Sequence, residues 1–203
     1  MSVDLYREFY AALSAVPGND DEPIGRWLAR RGLTANRRDL VGGVGVMRAV
    51  LTDSTGTFEP NSDGERVIVC PVWDGRACEP DCVQLHLSEF VDMIAWRPEA
   101  PERLYRRLDV GAVLGSYGVT LAASVGYPLR LFRAAESFIR YGGELHGATC
   151  AAVLLDPAHA WRLLSSVPQL ITDDIEHGEE LQRLLTGQRP RLPRLTVQIE
   201  NAA

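Results

Sequence analysis

Acidic side chains end two neighbouring apolar runs in the second half of the chain. Asp156 ends the first run, and Asp173 and Asp174 end the second, with Glu176 close behind. Ligands of open α/β sheets bind at the carboxyl ends of the strands, so these positions are candidates for chemistry. Mg²⁺ prefers carboxylate and water ligands. The sequence therefore offers Asp156, Asp173 and Asp174 as a candidate Mg²⁺ site.

The same acids also have an ordinary structural explanation. Asp156 precedes Pro157, the pattern of a helix N-cap followed by proline at the first helical position. Asp173, with Glu176 three residues later, fits a capping box. Acids in a first helical turn also interact favourably with the helix dipole. Capping explains these acids without catalysis, and metal binding or acid–base chemistry is the alternative.

Three cysteines form a second candidate metal site. Cys70, Cys78 and Cys82 carry the thiols that Zn²⁺ prefers, and His86 follows four residues after the last. Only the Cys78/Cys82 spacing matches a usual zinc-binding arm. In a regular strand, Cys82 and His86 would lie about 13 Å apart, at ~3.3 Å per residue, too far for one metal. Buried or loop cysteines are therefore the preferred interpretation.

Arginines supply the candidate contacts to nucleic acid. The chain has no lysine, so all 21 basic residues are arginine. This excludes Walker-type phosphate loops, Schiff-base enzymes and nucleotidyl-lysine ligases, which need a lysine amine. The candidate nucleic-acid or partner contacts are Arg26, Arg30, Arg31, Arg37, Arg38, Arg130 and Arg133, together with Asp173, Asp174 and Glu176. A further arginine group is Arg97, Arg103, Arg106 and Arg107.

The overall charge limits what these arginines can do. A net charge of −6 argues against a protein that coats nucleic acid, because neutralising phosphates needs an excess of basic charge. Any nucleic-acid contact must therefore be local. Ordinary solvated helix faces are the alternative explanation of the arginine clusters.

The elements that must position these residues indicate an α+β fold. Helical spacing marks 3–16, and a second helix is predicted with Asp21 as its cap, Pro23 in its first turn and Gly32 as its stop. Runs rich in β-forming residues mark 44–51, 66–72, 82–87 and 104–108. The run 89–96 is predicted as a short helix, with a strand over 90–95 as the alternative. A long loop is predicted over 54–65, and a helix of small residues, or a pair of helices broken by glycines, over 110–124. Alternating strands and helices follow at 129–132, 137–141, 148–155, 157–165, 169–172 and 175–185, and a last strand is predicted at 195–199.

Two regions follow from this pattern. Residues 1–127 form a mixed α+β region with a β-hairpin over 66–87, and residues 128–203 form an alternating βα region. The alternative is one compact domain. No apolar run approaches the roughly 20 residues needed to span a bilayer, and the N-terminus does not read as a signal peptide. We therefore expect a cytoplasmic protein without a membrane partner.

Two segments resemble the opening of the catalytic core of bacterial and phage primases. Residues 24–34 read IGRWLARRGLT and residues 66–75 read RVIVCPVWDG, similar to the layout YLxxRGL … RIxFPIxDxxG. Segments in 92–109, around 137–164 and in 173–185 resemble uncharacterised proteins of phages and integrated elements. The resemblance covers about a third of the chain and implies a Toprim-type centre, in which a glutamate and an Asp-x-Asp pair bind Mg²⁺.

The acids of that centre are incomplete in this chain. Asp156-Pro157-Ala158 lacks the second aspartate, and Ile175 stands where the second acid after Asp173 is needed. Glu144 is the candidate first glutamate, but it precedes its predicted strand. The resemblance therefore implies a remnant or adaptor that has lost polymerase chemistry.

Three functions are compatible with these observations. The first is a non-catalytic accessory protein of a phage or mobile element that binds nucleic acid or a replication protein through its arginines. The second is an acidic inhibitor that occupies the basic channel of a host defence nuclease. The third is a Mg²⁺-dependent nucleic-acid enzyme. No other cofactor is expected.

Overall fold

The computed structural model describes residues 3–16, 18–39, 41–74, 89–142 and 150–187, and shows a mixed α+β fold. The helices within these ranges are α1 (Leu5–Ser14), α2 (Pro23–Arg30), α3 (Ala35–Asp39), α4 (Ser116–Val125), α5 (Ala135–Gly142), α6 (Pro157–Leu164) and α7 (Ile175–Gly187). The strands are β1 (Gly45–Thr52), β2 (Thr57–Pro60), β3 (Glu65–Asp74), β4 (Glu89–Arg97), β5 (Ala100–Arg106), β6 (Val113–Leu114), β7 (Leu129–Leu131), β8 (Cys150–Leu154) and β9 (Leu170–Thr172).

The first five strands close into a barrel in the order β1-β2-β5-β4-β3. Neighbours are antiparallel except for the parallel contact of β2 with β5. Side chains alternate across a strand, so Val67 and Val69 of β3 point into the barrel core with Phe9 of α1. Phe9 meets Phe90 of β4 edge to face, with ring centroids 5.7 Å apart. Helix α1 therefore packs into the same core as the barrel strands.

The last four strands form a separate sheet in the order β6-β8-β7-β9. Strands β7, β8 and β9 run parallel, and β6 is antiparallel to β8. Helix α5 connects β7 to β8, and α6 connects β8 to β9, as parallel neighbours require. The predicted alternation of strands and helices is thus present in 129–187. It already begins at β6, so the sheet draws strands from both sides of the predicted boundary at 127/128.

A shared apolar core joins the barrel to this sheet. Ile68 and Trp96 lie on the outer face of β3 and β4, and both are buried. They belong to one cluster with Phe138 and Ile139 of α5 and Val153 of β8. Because both faces of β3 are buried, its sequence is a continuous apolar run. Helix α5 therefore lies between the barrel and the sheet.

Some predicted elements are corrected by the structure. The run 89–96 is strand β4, not a helix, because apolar residues on both of its faces are buried, one set inside the barrel and one against α5. The predicted loop over 54–65 contains β2, and the predicted helix over 110–124 begins with β6. The predicted strands at 82–87 and 195–199, and so the second arm of the hairpin over 66–87, lie outside the described residues. Within the described ranges, no helix has both the length and the apolarity needed to cross a bilayer.

Candidate functional site

Helix α2 presents two arginines to solvent. Pro23 stands in its first turn, where a missing N–H costs nothing, and Leu28 anchors the opposite face in the core. Arg26 and Arg30 are four residues apart, so they share the exposed face of the helix. This geometry gives two neighbouring guanidinium groups on one surface.

A buried glutamate brings two more arginines beside α2. Glu136 of α5 is only 3% exposed, and its Oε1 accepts a hydrogen bond from the Trp96 indole N–H at 3.2 Å. The same carboxylate lies 3.6 Å from an Arg31 nitrogen and 3.6 Å from an Arg140 nitrogen. Arg31 also donates to the Pro98 carbonyl at 2.6 Å. Glu136 therefore holds arginines from α5 and from the end of α2 on either side of one carboxylate.

The turn after α2 adds a fifth arginine. Gly32 adopts a left-handed conformation, with φ of 79°, which glycine reaches without steric cost. Its carbonyl accepts a hydrogen bond from Arg37 at 3.3 Å. A Cβ at Gly32 would lie 2.5 Å from Cδ of Arg140, so the turn and α5 are in close contact. We call the set Arg26, Arg30, Arg31, Arg37 and Arg140 the arginine surface.

Aromatic rings lie against two of the arginines in this region. The Arg31 guanidinium sits 5.2 Å from the ring centre of Trp27. Arg130 of β7 sits 5.1 Å from the ring centre of Tyr141, in the last turn of α5. Both distances are within the range of cation–π attraction. Arg130 therefore lies near the end of α5, next to the arginine surface rather than within it.

Two of the arginines predicted as contacts, Arg38 and Arg133, lie outside the arginine surface. Arg38 is only 4% exposed and lies 3.4 Å from the Asp20 carboxylate, which also accepts the Ala35 N–H at 3.2 Å. Arg38 is thus a buried residue of helix α3, paired with the segment that precedes α2. Arg133 follows β7, where it lies 3.4 Å from Glu180 and 4.0 Å from Asp174.

The mid-chain arginines are engaged in ion pairs on the barrel. Arg97 makes two 2.8 Å hydrogen bonds to Glu65, and Arg107 bonds both oxygens of Glu8 at 2.8 and 3.0 Å. Arg106 pairs with Asp109. These contacts join strands and α1 to one another, so the arginines that make them stabilise the barrel.

Acids after β8 and β9 cap the helices that follow, but the second cap is one residue later than the sequence predicts. Asp156 accepts the His159 N–H at 3.3 Å and bonds the His159 ring at 2.7 Å, as an N-cap of α6. Helix α7 begins at Ile175, so its cap is Asp174, which accepts the His177 N–H at 2.6 Å. The capping box predicted for Asp173 and Glu176 is therefore wrong by one residue.

Asp173 does not cap helix α7 as the sequence predicts, and its carboxylate has other partners. Its carboxylate bonds Nδ1 of the buried His177 at 2.5 Å and accepts the Arg133 N–H at 3.3 Å. Glu176 is exposed on the first turn of α7. Asp173 and His177 thus form an oriented pair at the carboxyl end of the parallel strands.

The predicted metal ligands do not converge in the part of the chain that the structure describes. No group of three His, Cys, Asp or Glu side chains there could hold a metal ion. Cys70 is fully buried, and burial raises the pKa of its thiol far above the ordinary value. Cys78 and Cys82 lie outside the described residues. Asp156, Asp173 and Asp174 instead make the hydrogen bonds given above.

We expect Asp173 to contribute stability that acid removes. Burial raises the pKa of its carboxyl, but the bonds from His177 and the Arg133 N–H lower it more, so the pKa lies below its ordinary value. A lowered folded-state pKa stabilises the protein above the unfolded pKa of about 3.9, and this stability is lost as pH falls through the folded pKa. Asp173→Asn should cost about 1 kcal/mol at neutral pH.

Urea denaturation across pH measures this difference. The free energies of unfolding of wild type and Asp173→Asn should converge as the pH falls below about 4. Glu176→Gln, three residues away and exposed, is the matched control and should stay within about 0.5 kcal/mol of wild type at every pH. A gap that persists unchanged in acid would contradict the assignment.

Candidate functional residues thus fall on two parts of the molecule. The arginine surface belongs to α2, α3, their connecting turn and α5, and the Asp173–His177 pair belongs to the carboxyl end of the parallel strands. Arg140 was missed from the sequence, although its position four residues after Glu136 on a helix signals an ion pair. No family model, no curated protein and no solved structure matches this chain.

Proposed function

We propose that this chain binds nucleic acid through the arginine surface, as a non-catalytic accessory protein in the replication of a phage or mobile element. The observation that carries the proposal is the convergence of Arg31, Arg37 and Arg140 around Glu136 and Gly32, beside Arg26 and Arg30. Five guanidinium groups from three neighbouring elements make a local cationic surface on a protein of negative net charge.

Arginine suits this task better than a generic positive charge. Its planar guanidinium has five N–H donors and stays charged, so one face or edge can contact a phosphate while another bonds the protein. Arg31 already uses one nitrogen on the Pro98 carbonyl, which fixes its direction. Fixing side chains in advance lowers the entropy cost of binding. The surface is therefore partly organised before any phosphate arrives.

Glu136 has a positioning role in this surface. A carboxylate between two guanidinium groups lowers their mutual repulsion, which would otherwise push Arg31 and Arg140 apart. Because Glu136 is buried, its charge is shielded from an approaching phosphate by the arginines themselves. The exposed part of the cluster stays cationic.

The resemblance to primase cores supports the same location. The segment 24–34 that resembles the primase layout corresponds to most of α2 and the turn at Gly32. That segment contributes Arg26, Arg30 and Arg31 to the surface. A replication protein with an acidic docking site is the second candidate partner for this surface, because it would present carboxylates in place of phosphates.

Fluorescence anisotropy with labelled single- and double-stranded oligonucleotides at low salt tests the proposal. The variant Arg26→Ala/Arg30→Ala removes two exposed cations, and we expect its dissociation constant to rise at least about fivefold. Both side chains are exposed, so folding should be unaffected.

The matched control removes the same charge elsewhere. Arg66→Ala/Arg162→Ala changes two exposed arginines on β3 and α6 and should bind like wild type. Equal weakening by both variants would show a non-specific charge effect and would overturn the proposal. Absence of any anisotropy change at low salt would overturn nucleic-acid binding, and capture of an acidic replication protein through Arg26 and Arg30 would favour the second candidate.

A further inference from the structure

An open groove lies between helices α6 and α7, beside strand β9. It has a volume of about 580 Å³. Apolar side chains from all three elements line it, and three of them, Trp161, Leu170 and Leu185, are only partly buried. Covering partly exposed apolar side chains with another apolar group is favourable. The groove is therefore a surface that favours an occupant.

Strand β9 has a free edge beside this groove. It is the last strand in the order β6-β8-β7-β9, and among the described residues it pairs only with β7. The Leu129 N–H donates to the Gln169 carbonyl at 2.9 Å. Since alternate residues of a parallel strand bond to opposite sides, the backbone groups of Leu170 and Thr172 face away from β7. An edge of this kind can accept a further strand.

The faces on which the helices pack indicate where the chain goes after α7. Leu164 of α6 and Leu181 of α7 belong to one buried cluster with Leu129 and Leu131 of β7, whereas Ile139 of α5 belongs to the cluster on the other face. Crossovers between parallel strands share one hand, so crossovers on the same face move along the sheet in the same direction. Helix α6 leads from β8 past β7 to β9, and α7 therefore leads past β9 to its free edge.

The end of α7 lies beside the start of β9. A Cβ at Gly178, in the first turn of α7, would lie 3.0 Å from the hydroxyl oxygen of Thr172, at the end of β9. Leu185 and Thr186, in the last turn of α7, line the groove together with Leu170, at the start of β9. Helix α7 thus runs back along β9, and the chain leaves it at the level where a parallel neighbour of β9 would begin.

The residues after α7 have the length and the pattern of such a neighbour. Residues 188–194 span up to about 23 Å when extended, at ~3.3 Å per residue, and this exceeds the roughly 10 Å thickness of a helix. Residues 195–199 read LTVQI, in which Leu195, Val197 and Ile199 alternate with polar residues. This is the pattern of a strand with one buried face.

We propose that residues 195–199 dock on the free edge of β9, parallel to it, and cover the groove between α6 and α7. The apolar side chains of the segment pack beside Trp161 and Leu185, and its backbone bonds Leu170 and Thr172. The occupant is this chain's own segment rather than a partner protein, because α7 leads directly to this edge. The proposal does not rest on nucleic-acid binding, because the arginine surface lies on other elements.

Amide hydrogen exchange of the full chain, followed by NMR, tests the docking. The N–H groups of Leu170 and Thr172 should exchange slowly in wild type, because they donate to the docked segment. Val197→Ser/Ile199→Ser removes two apolar side chains of the segment, and we expect exchange at both amides to be at least about tenfold faster. Nuclear Overhauser contacts between residues 195–199 and 170–172 should be present in wild type and lost in the variant.

The matched control removes apolar side chains outside the groove. Val110→Ser/Val125→Ser changes two residues that are 64% and 51% exposed, and it should leave both amides as slow as in wild type. Fast exchange of these amides in wild type, or the absence of the Overhauser contacts there, would overturn the proposal. Equal exchange in wild type and in Val197→Ser/Ile199→Ser would also overturn it.

One outcome would assign the groove to a second copy of this chain. Overhauser contacts between labelled and unlabelled molecules in an equal mixture would show that the segment docks on β9 of another molecule. Docking within one chain predicts that these intermolecular contacts are absent and that amide protection does not change with protein concentration. Intermolecular contacts would therefore overturn the assignment to the chain's own segment.

Discussion

Replacing Asp92 by alanine should lower the free energy of unfolding by about 4 kcal/mol or more, the largest effect expected of any single substitution here. Asp92 lies in β4 and is fully buried. Its two oxygens accept five backbone N–H groups at 2.8 to 3.1 Å, from Met93, Arg107, Leu108, Val110 and Gly111. Four of these donors belong to the segment that leaves the barrel and enters the sheet.

The size of the effect follows from the number of donors left unpaired. An unsatisfied buried donor costs about 1–3 kcal/mol. Alanine would remove the Asp92 acceptor from four of these donors outright, since the Arg107 N–H also donates to the Met93 carbonyl at 2.8 Å. The segment also contains Asp109 in a left-handed conformation, with φ of 59°, which needs support from its surroundings. Asp92 therefore fixes the path of the chain between β5 and β6.

Chemical denaturation of Asp92→Ala and Asp92→Asn measures this role. Asparagine keeps one acceptor oxygen, so we expect a loss of about 2 kcal/mol, between alanine and wild type. Asp63→Ala, an exposed aspartate in the turn before β3, should stay within about 0.5 kcal/mol of wild type. An Asp92→Ala protein as stable as the Asp63 control would contradict this account.

Replacing Glu136 by alanine should cost about 3 kcal/mol of stability. The substitution leaves the indole N–H of the buried Trp96 without its acceptor and removes the charge that Arg31 and Arg140 share. Loss of one partner from a buried charged network is strongly destabilising, because the remaining groups were desolvated for that contact. Glu136→Gln should cost less, since its amide oxygen can still accept from Trp96.

The control for Glu136 is an acid in the equivalent place of another helix. Glu176 also stands in a first helical turn, but it is exposed. Its replacement by alanine should cost only a helix-dipole contribution of about 0.5 kcal/mol. Thermal and chemical unfolding of both variants compare the two, and equal losses would show that Glu136 contributes no more than an N-terminal helix charge.

Features of the fold that depend on residues close in sequence could be predicted, whereas features that depend on residues far apart in the chain could not. Strand β3 follows from its apolar run. Helix α2 follows from its apolar spacing and from the proline in its first turn. The β4 run was ambiguous, because a strand buried on both faces loses the alternation that identifies strands. The role of Asp92 could not be predicted from the sequence, because a lone aspartate in a strand normally faces solvent. Its five donors come from β4 itself and from residues 107–111, which only the folded chain brings beside it.

The candidate site was predictable to a similar extent. Arg26, Arg30 and Arg31 were grouped because they are close in sequence, and α2 keeps them together. Arg38 was grouped with them but faces the interior, as its pairing with Asp20 depends on the turn geometry. Arg140 lies more than a hundred residues away from α2, and only the packing of α5 beside Gly32 brings it to the surface. Long-range packing therefore determines which arginines act together.

The salt dependence of oligonucleotide binding tests the central claim most directly. Binding through phosphates releases counterions, so the logarithm of the association constant falls linearly with the logarithm of salt concentration, by about 0.7 per phosphate on single strands. With three to five arginines engaged, we predict a slope of about −2 to −4 for wild type, reduced by about 1 or more in Arg26→Ala/Arg30→Ala. A slope near zero, or the same slope in the variant, would contradict binding at the arginine surface.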